Sequence, residues 1–319
     1  MDLKDKRVLV TGAAGFIGSH ISDAALQAGA RSVVGIDNFT GGREGHIRHL
    51  MTEPRFTLVR GDLRDYEIIR PLVLDTDVVF HNAASKLVVS LNNPRIDLET
   101  NAMGTFNVLM AAKDNPGVRM VHASTGSVLG SSDKPMPEDH EKNPTTTYGI
   151  SKLAAENYCV FFAREYGVKV SVLRYFHVFG PRQDHDSEAG VISIFIGRIL
   201  NGEAPIVFGD GEQIRCFTFV KDVVQANMLM LKQDQTIGQI YNVASRSRVS
   251  VLNLAETLIQ RFGDSSIQVE FGPPRRGENP HPVPDTSKIE TLGFNESVSF
   301  QEGLDHTKAW ITEEMERPY

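Results

Sequence analysis

Tyr148 and Lys152 stand four residues apart, a spacing that puts a phenol and an ammonium on one face of a helix. A free tyrosine titrates near about 10, too high for a base at neutral pH. A lysine beside it, together with a positively charged nicotinamide ring, would favour the phenolate. Such a pair can take a proton from an alcohol while hydride leaves the same carbon, and return it in the reverse step. Lys152 can also hold the nicotinamide ribose. Thr125 follows the apolar run 119–123 and offers a hydroxyl to the reacting oxygen. The competing role for Thr125 is a strand-end hydroxyl that bonds its own backbone.

Hydride chemistry needs a carrier, and the start of the chain provides a cradle for one. The strand-like Arg7-Val8-Leu9-Val10 runs into Thr11-Gly12-Ala13-Ala14-Gly15-Phe16-Ile17-Gly18. A strand before Gly12 and a helix after Gly15 aim helix amides and the positive helix end at a pyrophosphate. Asp37 closes the next apolar run, 19 residues after Gly18. A carboxylate there accepts both adenosine ribose hydroxyls and repels a 2′-phosphate, so the expected cofactor is NAD. Arg43, a few residues on, is the opposing signal. Asp62, after the third run, either bonds the adenine amino group or caps the following helix. The small residues of His81-Asn82-Ala83-Ala84-Ser85 let backbone approach the cofactor.

These residues require a frame. Apolar runs at 8–11, 32–37, 56–60, 78–81, 119–123 and 168–174 alternate with helix-length segments. This pattern of βαβ crossovers predicts an α/β fold, a Rossmann-type doubly wound parallel sheet covered on both faces. The run 239–243 is expected to rejoin the sheet, and the helix opening at Gly15 to end at Gly29. Pro181, Pro205, the Gly209-Asp210-Gly211 turn and the prolines from Pro273 to Pro284 mark a looser texture. The expected division is a cofactor domain over 1–175, with 236–245 returning to its sheet, and a smaller C-terminal α/β substrate lobe over 176–235 and 246–319.

A net charge of −7 without a basic cluster argues against nucleic acid as a partner. Cys159 and Cys216 lack a metal spacing and are too few for a disulfide scaffold, so a reducing cytoplasm is expected. The charged N-terminus runs straight into the first strand and no apolar run is long enough to span a bilayer, so neither a signal peptide nor a membrane span is expected. His46-Ile47-Arg48-His49 and Asp184-His185-Asp186 are expected to be solvated loops, with no metal bound.

Taken in order, the motifs carry a resemblance. The chain resembles the extended short-chain dehydrogenase/reductases of the nucleotide-sugar epimerase/dehydratase branch from end to end. Beyond the glycine motif, the matching segments include Asp37-Asn38-Phe39-Thr40-Gly41-Gly42, Gly61-Asp62-Leu63, Asn101 with Gly104-Thr105, the segment 124–130, and Tyr148 with Lys152. They continue through Leu173-Arg174-Tyr175-Phe176, Gly180-Pro181-Arg182-Gln183, Gly209-Asp210-Gly211, Arg275 with Gly277-Glu278, and Leu292-Gly293-Phe294. The resemblance implies a catalytic set of Thr125, Tyr148 and Lys152. It implies NAD contacts from Gly12, Gly15, Phe16, Ile17, Asp37, Asn38, Gly42, Asp62, Leu63, Ala83, Lys86, Asn101 and Tyr175 in addition to Tyr148 and Lys152. Lys86 would approach the nicotinamide ribose and phosphates, and Asn101 would support the active-site helix. Thr125, His177, Ile192, Ile206, Phe208, Arg215 and Arg275 would meet a nucleotide-diphosphate sugar, the two arginines pairing with its phosphates. Relatives dimerise by pairing the helices around 105–113 and 152–164 into a four-helix bundle, so a homodimer is expected.

Departures from the family pattern narrow the reaction. Gly126 and Ser127 stand where 4,6-dehydratases carry an Asp-Glu pair, and the cysteine that 3,5-epimerising relatives have at the Ser127 position is absent. Neither residue can supply the acid and base for water loss. The implied activity is therefore an NAD-dependent nucleotide-sugar 4-epimerase, of UDP-hexose or UDP-N-acetylhexosamine type, working through a transient 4-keto sugar with self-recycled NAD. The alternative is a dehydratase or a net 4-dehydrogenase/reductase, with His177 replacing the missing acid. His177 stands where most relatives bond the substrate phosphate through asparagine, and donation to phosphate is its expected role. Leu129 replaces a tyrosine, and Cys216 replaces an aspartate and is expected to be buried and inert. Pro282, at the position gating the C2 substituent, leaves room for an N-acetyl group. Intact Tyr148 and Lys152 argue against an NAD-binding regulator without turnover.

Overall fold

The computed structural model describes residues 1–132, 134–186, 189–264, 266–274 and 283–316. Seven strands form its sheet: β1 (Arg7–Thr11), β2 (Ser32–Asp37), β3 (Phe56–Arg60), β4 (Val78–His81), β5 (Arg119–Thr125), β6 (Lys169–Tyr175) and β7 (Ile240–Val243). They are all parallel and hydrogen-bonded in the order β7-β6-β5-β4-β1-β2-β3. The chain leaves β1 toward β3, then returns to β4 on the other side of β1. That reversal opens a crevice at the carboxyl ends of β1 and β4, where folds of this kind bind ligands.

The strands are largely apolar because helices cover both faces. Val8 and Val10 join a cluster with Ile21 and Ala25 of α1 (Phe16–Gln27), while Leu9 between them joins the opposite cluster. This alternation is the two-residue period of a strand. Val108 and Leu109 of α2 (Gly104–Lys113), and Cys159 and Phe162 of α3 (Thr147–Tyr166), fill that second cluster. Gly15 is the N-cap of α1, and Gly29, with φ +84°, follows its last turn as expected. Thr146 caps α3 by accepting from the Gly149 amide at 3.1 Å, which starts the helix immediately before Tyr148.

β5 and β6 run further than their apolar runs suggested, to Thr125 and Tyr175, because these two residues pair with each other. β4 stops pairing at His81 opposite His122, so residues 123–125 of β5 project beyond it into the crevice. Beneath this edge lies a buried ion pair. Arg174 of β6 donates to Glu156 of α3 through Nη2 at 2.6 Å and Nε at 2.9 Å, and the Ser124 hydroxyl of β5 donates to the same carboxylate at 2.9 Å.

A third cluster, around Phe195 of α4 (Val191–Leu200), Val207, Phe217, Leu254 and Leu304, forms the core of the more C-terminal segments. Short strands edge this region: Ile206–Phe208 runs parallel to Glu270–Gly272, and Ile214–Arg215 runs antiparallel to Val249–Ser250. Among the described residues no helix is long and apolar enough to cross a membrane, and no group of histidine, cysteine and acidic side chains is placed to hold a metal.

Candidate active site

Gly12 sits at the turn where β1 meets the crevice, with φ +69°, a left-handed conformation that a side chain resists. A Cβ there would lie 2.9 Å from the backbone of Ala83, so the glycine lets β1 and the end of β4 close on each other. The Thr11 hydroxyl holds that approach by accepting from the amides of Asn82 at 3.1 Å and Ala83 at 3.2 Å. Its own proton then goes to His81 Nδ1 at 2.8 Å. His81 Nε2 donates to Thr105 Oγ1 at 2.9 Å, and Thr105 donates to the Asn101 carbonyl at 2.6 Å. These roles fix His81 as a neutral imidazole, and burial pushes its pKa down to about 3.

The α1 N-terminus carries no side-chain cap, so its first amides remain open to an anion in the crevice. Asp37 closes β2 beside it, accepting from the Ala14 amide at 2.9 Å and the Phe39 amide at 2.8 Å. Burial pushes its carboxyl above the usual range, with the backbone bonds opposing. Both oxygens retain lone pairs, as a ribose diol acceptor requires. Asp62 receives both Nε and Nη2 of Arg64, at 3.0 and 2.8 Å, and Asn38 Nδ2 at 2.9 Å. The Arg64 bonds hold its carboxyl down at about 2. The capping role falls instead to Asp65, whose carboxylate accepts from the Glu67 amide at 3.0 Å. The cradle, the open helix end and the buried carboxylate together suit a dinucleotide.

Tyr148 is half-buried at the head of α3 and hydrogen-bonds Thr125. Thr125 Oγ1 also accepts from the Ser127 amide at 3.2 Å, so the strand-end role and the phenol contact coexist. Burial pushes the phenol up to about 12 against the effect of the Thr125 bond. Lys152 lies one helical turn after Tyr148 on α3. It is buried, its Nζ donates to the Ala123 carbonyl at 2.5 Å, and desolvation pushes it down to about 8. Asn101 lies in a π turn, Glu99–Met103, a local distortion that often marks functional sites. Its side chain donates to Ser151 Oγ at 3.0 Å and Asp97 Oδ1 at 2.9 Å, and accepts from the Ser85 amide at 2.9 Å. It thus ties α3 to the loop after β4. Tyr175 reaches the same loop, its hydroxyl donating to Asn82 Oδ1 at 3.4 Å and accepting from Asn227 at 2.8 Å.

On the far side of the crevice His177, with φ +42°, is reachable by solvent, and its ring meets Phe217 edge-on at 6.1 Å. Crowding by neighbouring protein atoms and the Arg215 charge push it down to about 3. A neutral imidazole can donate a hydrogen bond to phosphate, but at neutral pH it is not a charged proton donor. Arg215 is buried and gives Nη1 to the Ile214 carbonyl at 2.8 Å. Cys216 is buried, and its thiol is pushed up to about 11, as an inert cysteine should be. Ile206 and Phe208 are half-buried on their short strand, whereas Ile192 lies wholly within the C-terminal core. Leu63 is buried in the second sheet cluster, and Phe16 and Ile17 are partly buried against the cores. Arg275, Gly277, Glu278 and Pro282 lie outside the described residues.

Two segments expected to be solvated are so only in part, with Arg48, His49 and Asp186 exposed. His46 is buried and its Nδ1 donates to the Ala14 carbonyl at 2.9 Å, bracing the glycine turn. Asp184 is ion-paired with Lys86 at 3.0 Å and Arg43 at 2.5 Å. Four residues had no site role in the sequence reading: Phe176, Asp97, Ser151 and Asp184. Asp97 lies one helical turn before Asn101, a spacing that could have revealed it. The others depend on contacts between distant segments.

Buried neutral histidines make acid sensitivity a prediction. His20, whose Nε2 donates to the Pro181 carbonyl at 2.9 Å, is pushed down to about 4 by burial, and His81 to about 3. An unfolded histidine titrates near about 6.5, so below that pH the unfolded chain binds protons that the folded chain refuses. Their stability contribution is complete above about 6.5 and is lost as pH falls toward about 4, by up to about 1.4 kcal/mol per pH unit for each group. Thermal melts between these pH values should show Tm falling steadily, and a flat Tm would contradict the assignment.

The sequence profile of the NAD-dependent epimerase/dehydratase family matches residues 8–244. A putative UDP-glucose 4-epimerase of Methanocaldococcus jannaschii is 36% identical, over 95% of this chain and 98% of its own. A UDP-N-acetyl-alpha-D-glucosaminuronate decarboxylase of Bacillus cytotoxicus is 35% identical, over 97% of this chain and 98% of its own. Among solved structures, the UDP-N-acetylglucosamine 4-epimerase of Methanobrevibacter ruminantium, in complex with UDP-N-acetylmuramic acid, superposes with a TM-score of 0.92 at 34% identity, covering 98% of this chain and 100% of that one. The glycine cradle, the strand-end aspartate and the tyrosine–lysine helix thus stand on the fold these proteins share, and the chain belongs to the NAD-dependent epimerase/dehydratase family of extended short-chain dehydrogenase/reductases.

Proposed function

We propose that this protein is a nucleotide-sugar 4-epimerase acting on a UDP-hexose or UDP-N-acetylhexosamine. The observation that carries the reading is at Gly126. A Cβ there would lie 2.3 Å from Phe176 Cε1 and 2.5 Å from Cδ1, so the aromatic ring fills the space that any larger residue would need. The position that would hold a dehydratase carboxylate is thus occupied by a ring with no proton to give. With Ser127 following, the site retains groups for oxidation and reduction alone.

In this reading NAD, when bound, supplies the hydride acceptor and later the donor. The open first turn of α1 holds the pyrophosphate, and Asp37 accepts the adenosine ribose hydroxyls. Asn38, Gly42, Asp62, Leu63 and Ala83 line the rest of the cofactor site. Tyr148 takes the proton from the sugar C4 hydroxyl, and Thr125 holds that oxygen in place. Lys152 keeps a positive charge beneath the reacting edge, and Lys86 and Asn101 position the loop and helix around it. Neutral His177 and the Arg215 guanidinium hold the substrate diphosphate, with Arg275 as the second arginine. Rotation of the 4-keto sugar before hydride returns inverts C4.

The second reading, decarboxylation of a UDP-uronic acid, is favoured by the 35% identical Bacillus cytotoxicus relative. It shares the first oxidation, after which a β-keto acid loses carbon dioxide without a carboxylate at 126 or 127. Purified protein incubated with UDP-glucose, UDP-N-acetylglucosamine, UDP-glucuronic acid and dTDP-glucose, without added cofactor, separates the possibilities. The expected product has unchanged mass and an inverted C4 proton coupling. Loss of carbon dioxide would move the assignment to the decarboxylase, and loss of water or net consumption of added NAD would remove the epimerase reading.

The same reading includes a homodimer. Ile150, Tyr158 and Phe161 of α3 are exposed, at 54%, 43% and 41%, an apolar face that the same helices of a second copy would cover. Light scattering that gave a monomer mass at micromolar concentration would sink it.

A further inference from the structure

We propose that Asp184 is the positioning residue of a three-segment clasp that retains NAD in the crevice. Its carboxylate joins two cations from different loops. Lys86, in the loop after β4, donates Nζ to Oδ2 at 3.0 Å, and Arg43, in the loop after β2, places Nε 2.5 Å from Oδ1. Arg43 also gives Nη2 to Asp186 at 3.1 Å. Asp184 itself, in the segment after β6, is only 10% exposed, so its charge is held by these partners more than by water.

The placement explains the function. Arg43 is fixed at the glycine turn, since its amide donates to the Ala14 carbonyl at 2.9 Å. The segment bearing Asp184 is pinned to the outer side of α1, where His20 donates to the Pro181 carbonyl at 2.9 Å and Arg182 meets Asp23 at 2.7 Å. Arg182 holds φ +67°, a backbone conformation that costs energy and persists because these contacts impose it. The chain therefore runs from β6 across α1 to both loops that flank the β1–β4 crevice. Lys86 and Arg43 are balanced by Asp184 and Asp186, so the clasp closes as a neutral cluster beside the glycine turn and the open α1 amides, where a pyrophosphate belongs. NAD can leave only when the loops part, and Asp184 is what holds them together.

The test measures NAD release and leaves the sugar reaction out, so its failure would not bear on the epimerase reading. NAD-loaded protein is diluted into alcohol dehydrogenase and ethanol, and released NAD is read as NADH absorbance. Asp184→Asn is expected to speed release about tenfold, equivalent to about 1.4 kcal/mol. Release from the unmodified protein should quicken with salt, because partly exposed ion pairs are screened, and D184N should lose much of that dependence. Arg43→Gln, at a 56% exposed site, should also speed release and should add little to D184N in the double variant. R43Q keeps the test open if D184N fails to fold. Unchanged release in both variants would overturn the clasp. Slower release would overturn it too, showing that Asp184 competes with the pyrophosphate for Lys86 and Arg43.

Discussion

Replacing Tyr148 with phenylalanine is expected to lower kcat by about 10³-fold, within the range that a positioned acid/base supplies, while NAD binding and Tm stay near those of the unmodified protein. The phenol is half-buried and hydrogen-bonds Thr125 on the reacting side. Thr125 keeps its bond from the Ser127 amide when the phenol is gone, so the local backbone should hold. Burial pushes the Tyr148 hydroxyl up to about 12, so positive charge must be brought to it before it can act as a base. The lost step should therefore be the first oxidation, visible as failure to form NADH when UDP-sugar is added. Near-normal turnover in this variant would exclude Tyr148 as the acid/base and leave the site without a group of suitable chemistry.

Glu156→Ala should be the most destabilising single change at the site edge, costing about 3–5 kcal/mol. The side chains of Arg174 and Glu156 are 0% and 1% exposed. Removing the carboxylate deprives the guanidinium of two bonds and the Ser124 hydroxyl of its acceptor. Arg174 would keep only the Glu138 carbonyl, at 2.9 Å, in a place water does not reach. Glu156→Gln, which retains shape and one acceptor oxygen, should cost less than the alanine variant. Urea titration measures both, and a loss below about 1 kcal/mol for E156A would show that the pair carries little of the stability. Because Glu156 lies one helical turn beyond Lys152 on α3, the variant should also lower activity by loosening the helix that carries the tyrosine and lysine.

Much of this protein is legible along the chain because its causes are local. Alternating apolar runs dictate strands and crossovers, and six of the seven sheet strands coincide with those runs to within one residue at either end. β5 alone exceeds its run clearly, because Thr125 pairs with Tyr175 across the sheet. The glycine turn, the strand-end Asp37 and the i, i+4 tyrosine and lysine are likewise local chemistry. They depend on backbone conformation and helical geometry over a few residues, and each can be identified without knowing what lies opposite.

The remainder depends on which segments the sheet order brings together. Lys152 and Tyr148 share a helix face by sequence, yet the end of β5 decides that the ammonium meets the Ala123 carbonyl. Gly126 departs from the dehydratase pattern by sequence, yet only packing puts the Phe176 ring in the space a side chain would need. Asp184 lies 98 residues from Lys86, and no periodicity connects them. Their meeting follows from the reversal of strand order beside β1, which gathers the loops after β2, β4 and β6 at one edge. Sequence by itself determined the family and marked the candidate cofactor cradle and acid/base pair, since short-range geometry specifies them. Tertiary structure alone decided which charges pair and which space is filled, since those depend on side chains meeting from elements far apart in the chain.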